Sequence, residues 1–442
     1  MLKTFPKGGI HPPENKLTSS TPIKRLPTPK VVYVPISQHI GIPAEIVVEV
    51  KQKVEIGQVI AKSGGFVSSN IHAPLAGTVT KLDMIVDTKG YKKQCIVIRT
   101  DDKNESNFQE VEFPLKEDIT IEPEEILKRI SDYGIVGLGG ATFPSHVKLQ
   151  VKNDTRIDCL IINGVECEPY LTSDHRLMLE KAEEILVGIR ILMHALHVKR
   201  AIIGIENNKK DAIDIFKKLT NGKSGIQIAA LQVKYPQGGE KQLVRAILKR
   251  EVPKNGLPLD VGVVVHNVGT VFAIYQAVQH NRPLLERVVT VTGKKLQNPS
   301  NFWVKIGTPI SNLIDAVGGV PEDTRKIVSG GPMMGKALKN TDVPVTKGTS
   351  GILVISEDEA SRGEPKNCIR CGECVDVCPM GLEPHLLMNL SEKGMYEKAL
   401  QEDILTCIEC GSCSYVCPSH RPLLDYIRFG KSIGKQLHSK KA

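Results

Sequence analysis

The sequence predicts a multidomain protein that combines an α/β core with small β modules and a cysteine-rich helical domain. Three observations lead to this fold class. The chain has 442 residues, more than one ordinary hydrophobic core accommodates, since single cores stop growing near ~250 residues. Short β-branched runs near the N-terminus give way to alternating strand and helix patterns. Eight of the eleven cysteines then lie between positions 368 and 417, which predicts a metal-binding domain.

The composition is that of an ordinary globular protein, with 41% hydrophobic and 24% charged residues. No stretch approaches the roughly 20 apolar residues that span a bilayer, and the N-terminal MLKTFPKGGIHPPENK lacks the apolar segment of a secretion signal. We therefore expect a cytoplasmic chain without a transmembrane segment. The formal net charge of +9 suits an acidic protein partner or an anionic membrane surface. Nucleic acid is not expected, because no aromatic-interleaved basic face accompanies the charge.

Two N-terminal regions precede the α/β core. Residues 1–30 are rich in proline and basic side chains, which predicts an extended arm. Residues 31–115 contain short β-branched runs between Gly and Pro, which predicts a compact β module. The order IGIPAEIVVEVKQKVEIGQVIA and then IHAPLAGTVTKL resembles the two halves of a barrel-sandwich hybrid. SGGFVSSN stands where a carrier domain would have its modifiable lysine, so a structural or docking role is expected. An acidic linker is predicted near 101–124.

The remaining regions follow from similar pattern changes. Residues 116–287 alternate strands and helices, which predicts a Rossmann-like parallel sheet with ligands at the carboxyl ends of its strands. Residues 288–360 contain VVTVTG, VKIGTPISNLIDAVGG, KIVSGGPMMG and GILVIS, and they resemble a β-grasp unit of the SLBB type. Residues 361–428 form the cysteine domain, with LLMNLSEKGMYEKALQED predicted as helical between the cysteine runs. Residues 429–442 are predicted as a basic tail.

Two cysteine runs carry the most specific signal in the chain. CIRCGECVDVCP and CIECGSCSYVCP both have the spacing Cys-x-x-Cys-x-x-Cys-x-x-x-Cys-Pro, which is the bacterial two-cluster ferredoxin pattern. In that pattern the fourth cysteine of each run ligates the other cluster. The predicted ligands of the two 4Fe-4S clusters are therefore Cys368, Cys371, Cys374 and Cys417 for one, and Cys407, Cys410, Cys413 and Cys378 for the other. The alternative is a pair of zinc sites with four thiolates each.

Glycine loops in the α/β region are the second signal. GIVGLGGATFPSHVK precedes the first strand of that region, and INGVECEPYLTSD, YPQGGEKQL and VHNVGT follow three of its strands. Glycines allow a flat ring or a phosphate to approach backbone N–H groups closely, and Lys148 is placed to neutralise phosphate charge. A plain structural turn is the alternative for the first loop when it is considered alone.

This set of loops, in this order, resembles the flavin- and NADH-binding subunit of respiratory complex I and of soluble NAD-reducing hydrogenases. Over essentially the whole chain, including GGIHPPENK, SGGPMMG and both cysteine runs, it is similar to the C-subunit family of Rnf complexes. The resemblance implies non-covalent FMN with NAD(H) beside it, and membership of a membrane-bound, ion-translocating ferredoxin:NAD+ oxidoreductase. The implied partners are other membrane and iron-sulfur subunits of that complex, with ferredoxin acting indirectly, and the implied place is peripheral, on the cytoplasmic face of the cell membrane.

The resemblance also implies site residues. Those carried over as cofactor-binding are Gly137, Gly139, Gly140, Ala141, Phe143, Lys148, Asn163, Glu166, Glu240, His266, Asn267 and Thr270. Phe143 and Glu168 match positions near the nicotinamide nucleotide, and Glu166 and Glu168 are the predicted catalytic residues, with Glu166 as a candidate proton donor to the flavin. A helix cap or a loop hydrogen bond is the alternative for each polar residue. Relative to complex I, Leu138 replaces an arginine and Lys241 replaces the second of two adjacent glutamates.

These parts predict an NAD(H)-dependent enzyme, because a flavin converts single electrons from iron-sulfur clusters into the hydride that NAD+ accepts. Two alternatives remain open at this point. One is a soluble cobalamin reductase with similar cofactor domains, disfavoured by the arm and the β module that precede GLGGATFP. The other is an electron-conducting scaffold that binds clusters and no nucleotide, for which Lys241 and Leu138 are the best support.

Overall fold

The computed structural model describes residues 2–88, 90–101, 113–151, 156–221 and 225–441. The predicted acidic linker therefore lies partly outside the described residues. Within them the chain has the order arm, β module, α/β domain, second β domain and helical cysteine domain, which matches the predicted succession.

The N-terminal arm lies extended along the surface of its own chain. Lys3 forms an isolated bridge with Leu231, and Ile10 forms one with Tyr235. Its strand β1 (Lys24–Arg25) adds a parallel edge to a sheet more than two hundred residues away in sequence. These backbone contacts join the arm to the α/β domain and to the sheet that contains β14.

The β module consists of two small antiparallel sheets. Its strands are β2 (Val31–Pro35), β3 (Glu45–Ile46), β4 (Lys53–Val54), β5 (Val59–Lys62), β6 (Ile71–His72), β7 (Gly77–Val86) and β8 (Lys92–Thr100). One sheet has the order β2-β8-β7-β4 and the other β3-β5-β6. The β-branched runs bury one core between the sheets, with Val32, Ile60 and Ile98 fully buried.

The α/β domain is built on a parallel sheet of order β11-β10-β9-β12. Its elements are α1 (Pro123–Asp132), α2 (Ser145–Leu149), β9 (Cys159–Gly164), α3 (Ser173–Glu180), α4 (Ala182–Ala195), β10 (Ala201–Glu206), α5 (Lys210–Thr220), β11 (Ile226–Leu231), α6 (Glu240–Leu248), a 3-10 turn (Pro258–Val261), β12 (Val263–Asn267) and α7 (Val268–His280). Every residue of β10 is buried, because helices cover both faces of a parallel sheet. The loops after β9, β11 and β12 therefore meet at one edge.

The second β domain, called the β-grasp domain below, has a six-stranded sheet of order β1-β14-β13-β17-β15-β16. Its elements are β13 (Glu286–Thr292), β14 (Ser300–Lys305), α8 (Ile310–Ala316), β15 (Thr324–Ser329), β16 (Lys336–Ala337), β17 (Gly351–Ser356) and α9 (Glu357–Ala360). Buried side chains of α8, such as Leu313, pack with Val289 and Val345. β13 begins at Glu286, so this strand runs through the predicted boundary between 287 and 288.

The cysteine domain is helical, as predicted. Its elements are α10 (Glu373–Asp376), α11 (Pro384–Glu392), α12 (Tyr396–Gln401), a 3-10 turn (Ile404–Thr406), α13 (Ser412–Val416) and α14 (Leu423–Lys441). α14 continues through the predicted boundary between 428 and 429, so the segment expected as a separate basic tail is helical up to Lys441. The reason is packing, since Ile427 is buried against α11 and Gly430 lies close to the Ser391 hydroxyl. The described part of the chain contains no helix long and apolar enough to cross a bilayer.

A buried carboxylate ties the arm to the β-grasp sheet. Glu286, whose side chain is 5% exposed, lies 2.9 Å from Lys305, 2.8 Å from Arg282 and 3.1 Å from Arg25 of β1. Burial alone raises the pKa of Glu286, but Lys305, Arg282 and Arg25 more than offset it and bring the pKa to about 2. The Glu286 carboxylate is therefore ionised in the folded protein across the neutral pH range.

Replacement of Glu286 by glutamine should lower the free energy of unfolding by about 3 kcal/mol, because it leaves three cations without their shared anion. Since the pKa in the folded state lies below its ordinary value of 4.5, this stabilisation is present above that pH and is lost as the pH falls toward 2. Denaturant titrations at several pH values measure both effects, with Glu322→Gln at an exposed site as the control. Equal stability of the two variants would contradict the role of Glu286.

Candidate redox site

The eight clustered cysteines form two groups in space. Cys368, Cys371, Cys374 and Cys417 line one cavity, called here the outer thiol set because Cys368 and Cys371 are exposed. Cys378, Cys407, Cys410 and Cys413 line the second, the inner thiol set, in which Cys378, Cys410 and Cys413 are buried. The fourth cysteine of each run thus lies with the first three of the other run. Within the described residues, no three His, Cys, Asp or Glu side chains are placed to hold a single metal ion.

Both cysteine runs follow the same backbone path. Arg370 and Glu409 have φ of 58°, and Gly372 and Gly411 have φ of 85° and 81°. The two glycines are the N-caps of α10 and α13. Each run therefore forms a loop and then one helical turn, which presents its first three thiols to one cavity.

The inner thiol set lies in apolar surroundings with hydrogen-bond donors at its sulfurs. Leu382 and Ile427 are among the side chains that line its cavity. Burial raises the pKa of Cys407 to about 11, so a bound metal is what would deprotonate such a thiol at neutral pH. The Leu382 N–H lies 3.4 Å from Cys378 Sγ and the Glu409 N–H lies 3.4 Å from Cys407 Sγ. Four thiols around a cavity with N–H donors fit an iron-sulfur cluster, whose potential such bonds tune.

The inner thiol set touches the α/β domain through the loop after β11. The Tyr235 hydroxyl, on a fully buried side chain, donates to the Cys410 carbonyl at 2.8 Å. Ile10 of the arm packs against Tyr235 and Cys410 in the same apolar cluster. One loop of the α/β domain therefore lies directly on the cysteine domain.

The N-terminal arm also contacts the cysteine domain beside this junction. The Gly9 N–H donates to the Val377 carbonyl at 2.9 Å. Gly8, at φ +69°, lies so close to the inner set that a Cβ atom there would stand 2.6 Å from the backbone carbon of Cys378. Glycine is required because the chain passes directly over the peptide that carries an inner thiol.

The glycine loop GIVGLGGATFP, residues 134–144, packs against the start of α7. The Leu138 N–H donates to Thr270 Oγ1 at 2.8 Å, and Gly139 lies against Asn267. The Gly137 N–H closes the loop on the Phe143 carbonyl at 2.9 Å. A Cβ at Gly140 would meet nothing within 4 Å, so the loop leaves one face open for a ligand. Ala141 is exposed beside it.

Lys148 and His266 supply polar groups at the same edge of the sheet. Lys148 Nζ pairs with the Glu240 carboxylate at the start of α6. His266 is 4% exposed, and its Nε2 has no hydrogen-bond partner among the described residues. Burial, then the charge of Lys148, lowers the pKa of His266 to about 3, so the ring is neutral at physiological pH. An unpartnered buried nitrogen, a cation and an open glycine face fit a flat ring that carries a phosphate, as in FMN.

Asn163 holds two of the predicted loops together. Its Nδ2 donates to the Gly238 carbonyl at 2.9 Å, and its Oδ1 accepts from the Val165 N–H at 3.2 Å. Lys241 does not join these loops. Its amine donates to the carbonyls of Pro253 and Lys254, whereas the carboxylate of the neighbouring Glu240 pairs with Lys148.

The two predicted catalytic carboxylates have different surroundings. Glu166 accepts from the Asp174 N–H at 2.8 Å, the His175 N–H at 3.0 Å and the Ser173 hydroxyl at 3.2 Å. Its carboxylate thus satisfies the free N–H groups at the start of α3. This geometry favours a helix-capping role, and proton donation to a flavin stays a prediction.

Glu168 connects the α/β domain to the β-grasp domain. Its carboxylate accepts from the N–H groups of Met333 at 3.2 Å and Met334 at 2.8 Å, in the loop SGGPMMG. Burial raises the pKa of Glu168 to about 7, against the two backbone donors that lower it. The Met333 carbonyl lies on Gly411 of the second cysteine run. Glu168 is therefore linked through one short loop to the inner thiol set.

Comparisons with known proteins agree with this arrangement. Family models match four successive regions: the RnfC barrel sandwich hybrid domain at residues 3–103, the Nuo51 FMN-binding domain at 130–276, the SLBB domain at 288–337 and a 4Fe-4S dicluster domain at 360–419. The C subunit of a proton-translocating ferredoxin:NAD(+) oxidoreductase complex from Clostridium ljungdahlii is 46% identical over 98% of this chain and 94% of its own length. The chain belongs to the RnfC family. The predicted family and fold class are thereby confirmed.

Two further relatives and one solved structure are also similar to this chain. The C subunit of the Na(+)-translocating complex of Acetobacterium woodii is 42% identical over 96% of both chains. The C subunit of the ion-translocating complex of Rhodobacter capsulatus is 43% identical over 98% of this chain and 84% of its own length. A chain of an NAD+-reducing [NiFe]-hydrogenase in its H2-reduced state superposes with a TM-score of 0.51 at 17% identity, covering 71% of this chain and 62% of that one. At that identity the likeness shows the fold alone.

Sequence reasoning missed three charged residues at the site, of which Arg287 is buried and Lys16 and Asp174 are half-buried. Lys16 of the arm donates to the carbonyls of Glu166, Glu168 and Leu171, at 2.9, 2.8 and 2.7 Å. Asp174 accepts from Asn267 Nδ2 at 2.6 Å, and burial together with the Glu166 charge raises the pKa of Asp174 to about 7. Arg287 donates to the Leu138 carbonyl at 3.3 Å. These contacts join residues far apart in sequence, so no local pattern signals them.

Replacement of Gly8 by alanine should disturb the inner thiol set, because the added methyl collides with the Cys378 backbone. We expect faster hydrogen exchange at residues 374–382 and, in loaded protein, an altered electron paramagnetic resonance spectrum of one cluster. Gly319→Ala is the matched control, since Gly319 also has positive φ, +86°, but nothing lies within 4 Å of a Cβ there. Identical exchange in both variants would show that the arm does not position Cys378.

Proposed function

We propose that this chain is the peripheral electron-transfer subunit of a membrane-bound, ion-translocating ferredoxin:NAD+ oxidoreductase. In this proposal it passes electrons between two 4Fe-4S clusters, FMN and NAD(H), and docks on the cytoplasmic face of the cell membrane through other subunits. The observation that carries the proposal is the direct contact between Tyr235, on a loop of the α/β domain, and Cys410 of the inner thiol set. The relatives are named for the same reaction.

The two thiol sets suit different positions on an electron route. Cys368 and Cys371 are exposed, so a cluster on the outer set would exchange electrons with another iron-sulfur subunit, and with ferredoxin only indirectly. The inner set contacts the α/β domain through Tyr235 and lies under the arm. FMN, when bound, supplies the conversion between single electrons and the hydride of a nicotinamide.

The residues of the chain itself hold and orient the flavin in this proposal. Lys148 would neutralise phosphate charge, and the neutral His266 would offer its free Nε2 to the ligand. Thr270 fixes the glycine loop by accepting from the Leu138 N–H. Lys16 fixes the opposite loop by holding the carbonyls of Glu166 and Glu168. A rigid pair of loops of this kind excludes water and sets the approach of NAD(H).

Anaerobic titration of the purified chain with NADH tests the proposal. About eight irons per chain are expected for two such clusters, with loss of the flavin absorbance on NADH addition and then of the cluster absorbance. Lys148→Met should weaken FMN binding ten- to a hundredfold, the typical range for a lost hydrogen bond to a charged group. Lys241→Met should leave it unchanged. If NADH fails to reduce the bound flavin, the chain is a cluster-binding scaffold. If the purified chain instead reduces a corrinoid, the cobalamin reductase alternative is favoured.

The crossed cysteine assignment has a separate test. Cys417→Ala should remove the cluster of the outer set and leave one that resists chelators, because the inner thiols are buried. Cys378→Ala should remove the inner cluster and leave one that a chelator strips readily. Cys95→Ala is the control, since Cys95 is buried in the β module and should not affect iron content. The opposite pattern of chelator sensitivity would contradict crossed ligation.

A further inference from the structure

A basic groove lies between three domains, next to the inner thiol set. It has a volume of about 440 Å³. Its walls are residues 86–88, 90 and 91 at the ends of β7 and β8, the segment around β16, and one face of α14. None of the residues that line it lines the cavity of the outer thiol set. The groove is therefore a separate surface from the exposed edge at Cys368 and Cys371.

Basic side chains line two facing walls of the groove. Arg428, Lys431 and Lys435 follow one another at spacings of three and four residues along α14, which places them on one face of the helix. Lys336 and Lys339 line the wall formed by the β-grasp domain. Five cations thus border one concavity.

The acidic residues at the groove do not balance these charges. Asp87 and Glu409 are the acidic residues among its lining. Glu409 is already paired with Arg428 at 3.3 Å and with Lys431 at 3.0 Å. In the described part of the chain, Lys339 and Lys435 take part in no ion pair and are exposed. Like charges on facing walls repel one another, so an anionic occupant would stabilise the groove.

The shape of the groove indicates what kind of anion fits. A bilayer surface is flat on this scale, whereas the groove is concave and bordered by three domains. The Tyr91 side chain, 64% exposed, offers an aromatic surface next to β8. Aromatic contacts beside cations are typical of protein interfaces. These features favour a polypeptide segment over a lipid surface.

We propose that this groove binds an acidic segment of another subunit of the complex. The identity of the partner as another subunit rests on the proposed function, while the acidic chemistry rests on the charges of the groove. Lys431 Nζ also donates to the Cys407 carbonyl at 2.6 Å, so the segment would lie beside the inner thiol set. Docking there leaves the outer set free for electron exchange.

Charge reversal in the assembled complex tests the proposal. The double variant K339E/K435E should reduce retention of the other subunits on the tagged chain about tenfold at low salt, with less difference at high salt because salt screens exposed charges. K199E/K210E is the matched control, since it makes the same change of net charge at exposed lysines of the α/β domain. The milder K339Q/K435Q should give an intermediate loss, and melting curves of the variants check their folding. Equal retention of all variants overturns the proposal.

Carbodiimide cross-linking of the whole complex identifies the occupant, because this reagent joins lysine amines directly to carboxylates. Cross-links from Lys339 or Lys435 to Asp or Glu of another subunit support the proposal. Cross-links confined to this chain overturn it. Binding to vesicles that contain an anionic phospholipid, if lost in K339E/K435E while the complex assembles normally, also overturns it and assigns the groove to the membrane surface.

The same protein samples also test the proposed electron-transfer function, independently of the groove. NADH should reduce the flavin of K339E/K435E as fully as that of the wild-type chain, because no groove residue belongs to the glycine loops. Failure of flavin reduction in the wild-type chain would refute the electron-transfer function, and the cross-links would still show whether the groove holds an acidic segment.

Discussion

The contact between the loop after β11 and the second cysteine run is the constraint on which the rest of the molecule depends. Electron transfer within one chain needs the flavin loops and the thiols on different domains to keep a fixed separation. The buried Tyr235 hydroxyl and the Cys410 carbonyl provide one bond across this junction. The arm, the Glu168 carboxylate and the loop 331–334 surround that bond, so the junction has support on several sides.

Buried or half-buried lysines with carbonyl partners hold the domains together elsewhere. Lys16 satisfies three carbonyls of one loop. Lys347, 1% exposed, donates to Asn70 of the β module and Gly134 of the α/β domain. Burial lowers the pKa of Lys347 to about 7 because the charged amine loses solvation. Such groups are costly to bury unless they are hydrogen-bonded, so each one fixes a single relative placement of its neighbours.

The order of the domains and the two thiol groups could be predicted from the sequence because both rest on local patterns, whereas two of the predicted domain boundaries fall inside β13 and α14. The spacing within each cysteine run determines which thiols one loop can present, and β-branched or alternating runs determine each module. The glycine loops could be located for the same reason. What could not be predicted was long-range. Lys16 meets Glu166 across 150 residues, the Glu166 carboxylate accepts from N–H groups at the start of α3, and α14 extends past 428 because of packing against α11.

The grouping of the thiols has a consequence for the folding of the cysteine domain. Each set takes three members from one run and the fourth from the other, and α11 and α12 lie between the two runs. Neither set is complete until that whole helical unit has closed. In a half-folded domain each run offers only its own first three thiols to one site. A cluster bound at that stage would lack its fourth protein ligand. Completion of either set therefore depends on closure of the same helical unit, so cluster binding and folding of this domain are coupled.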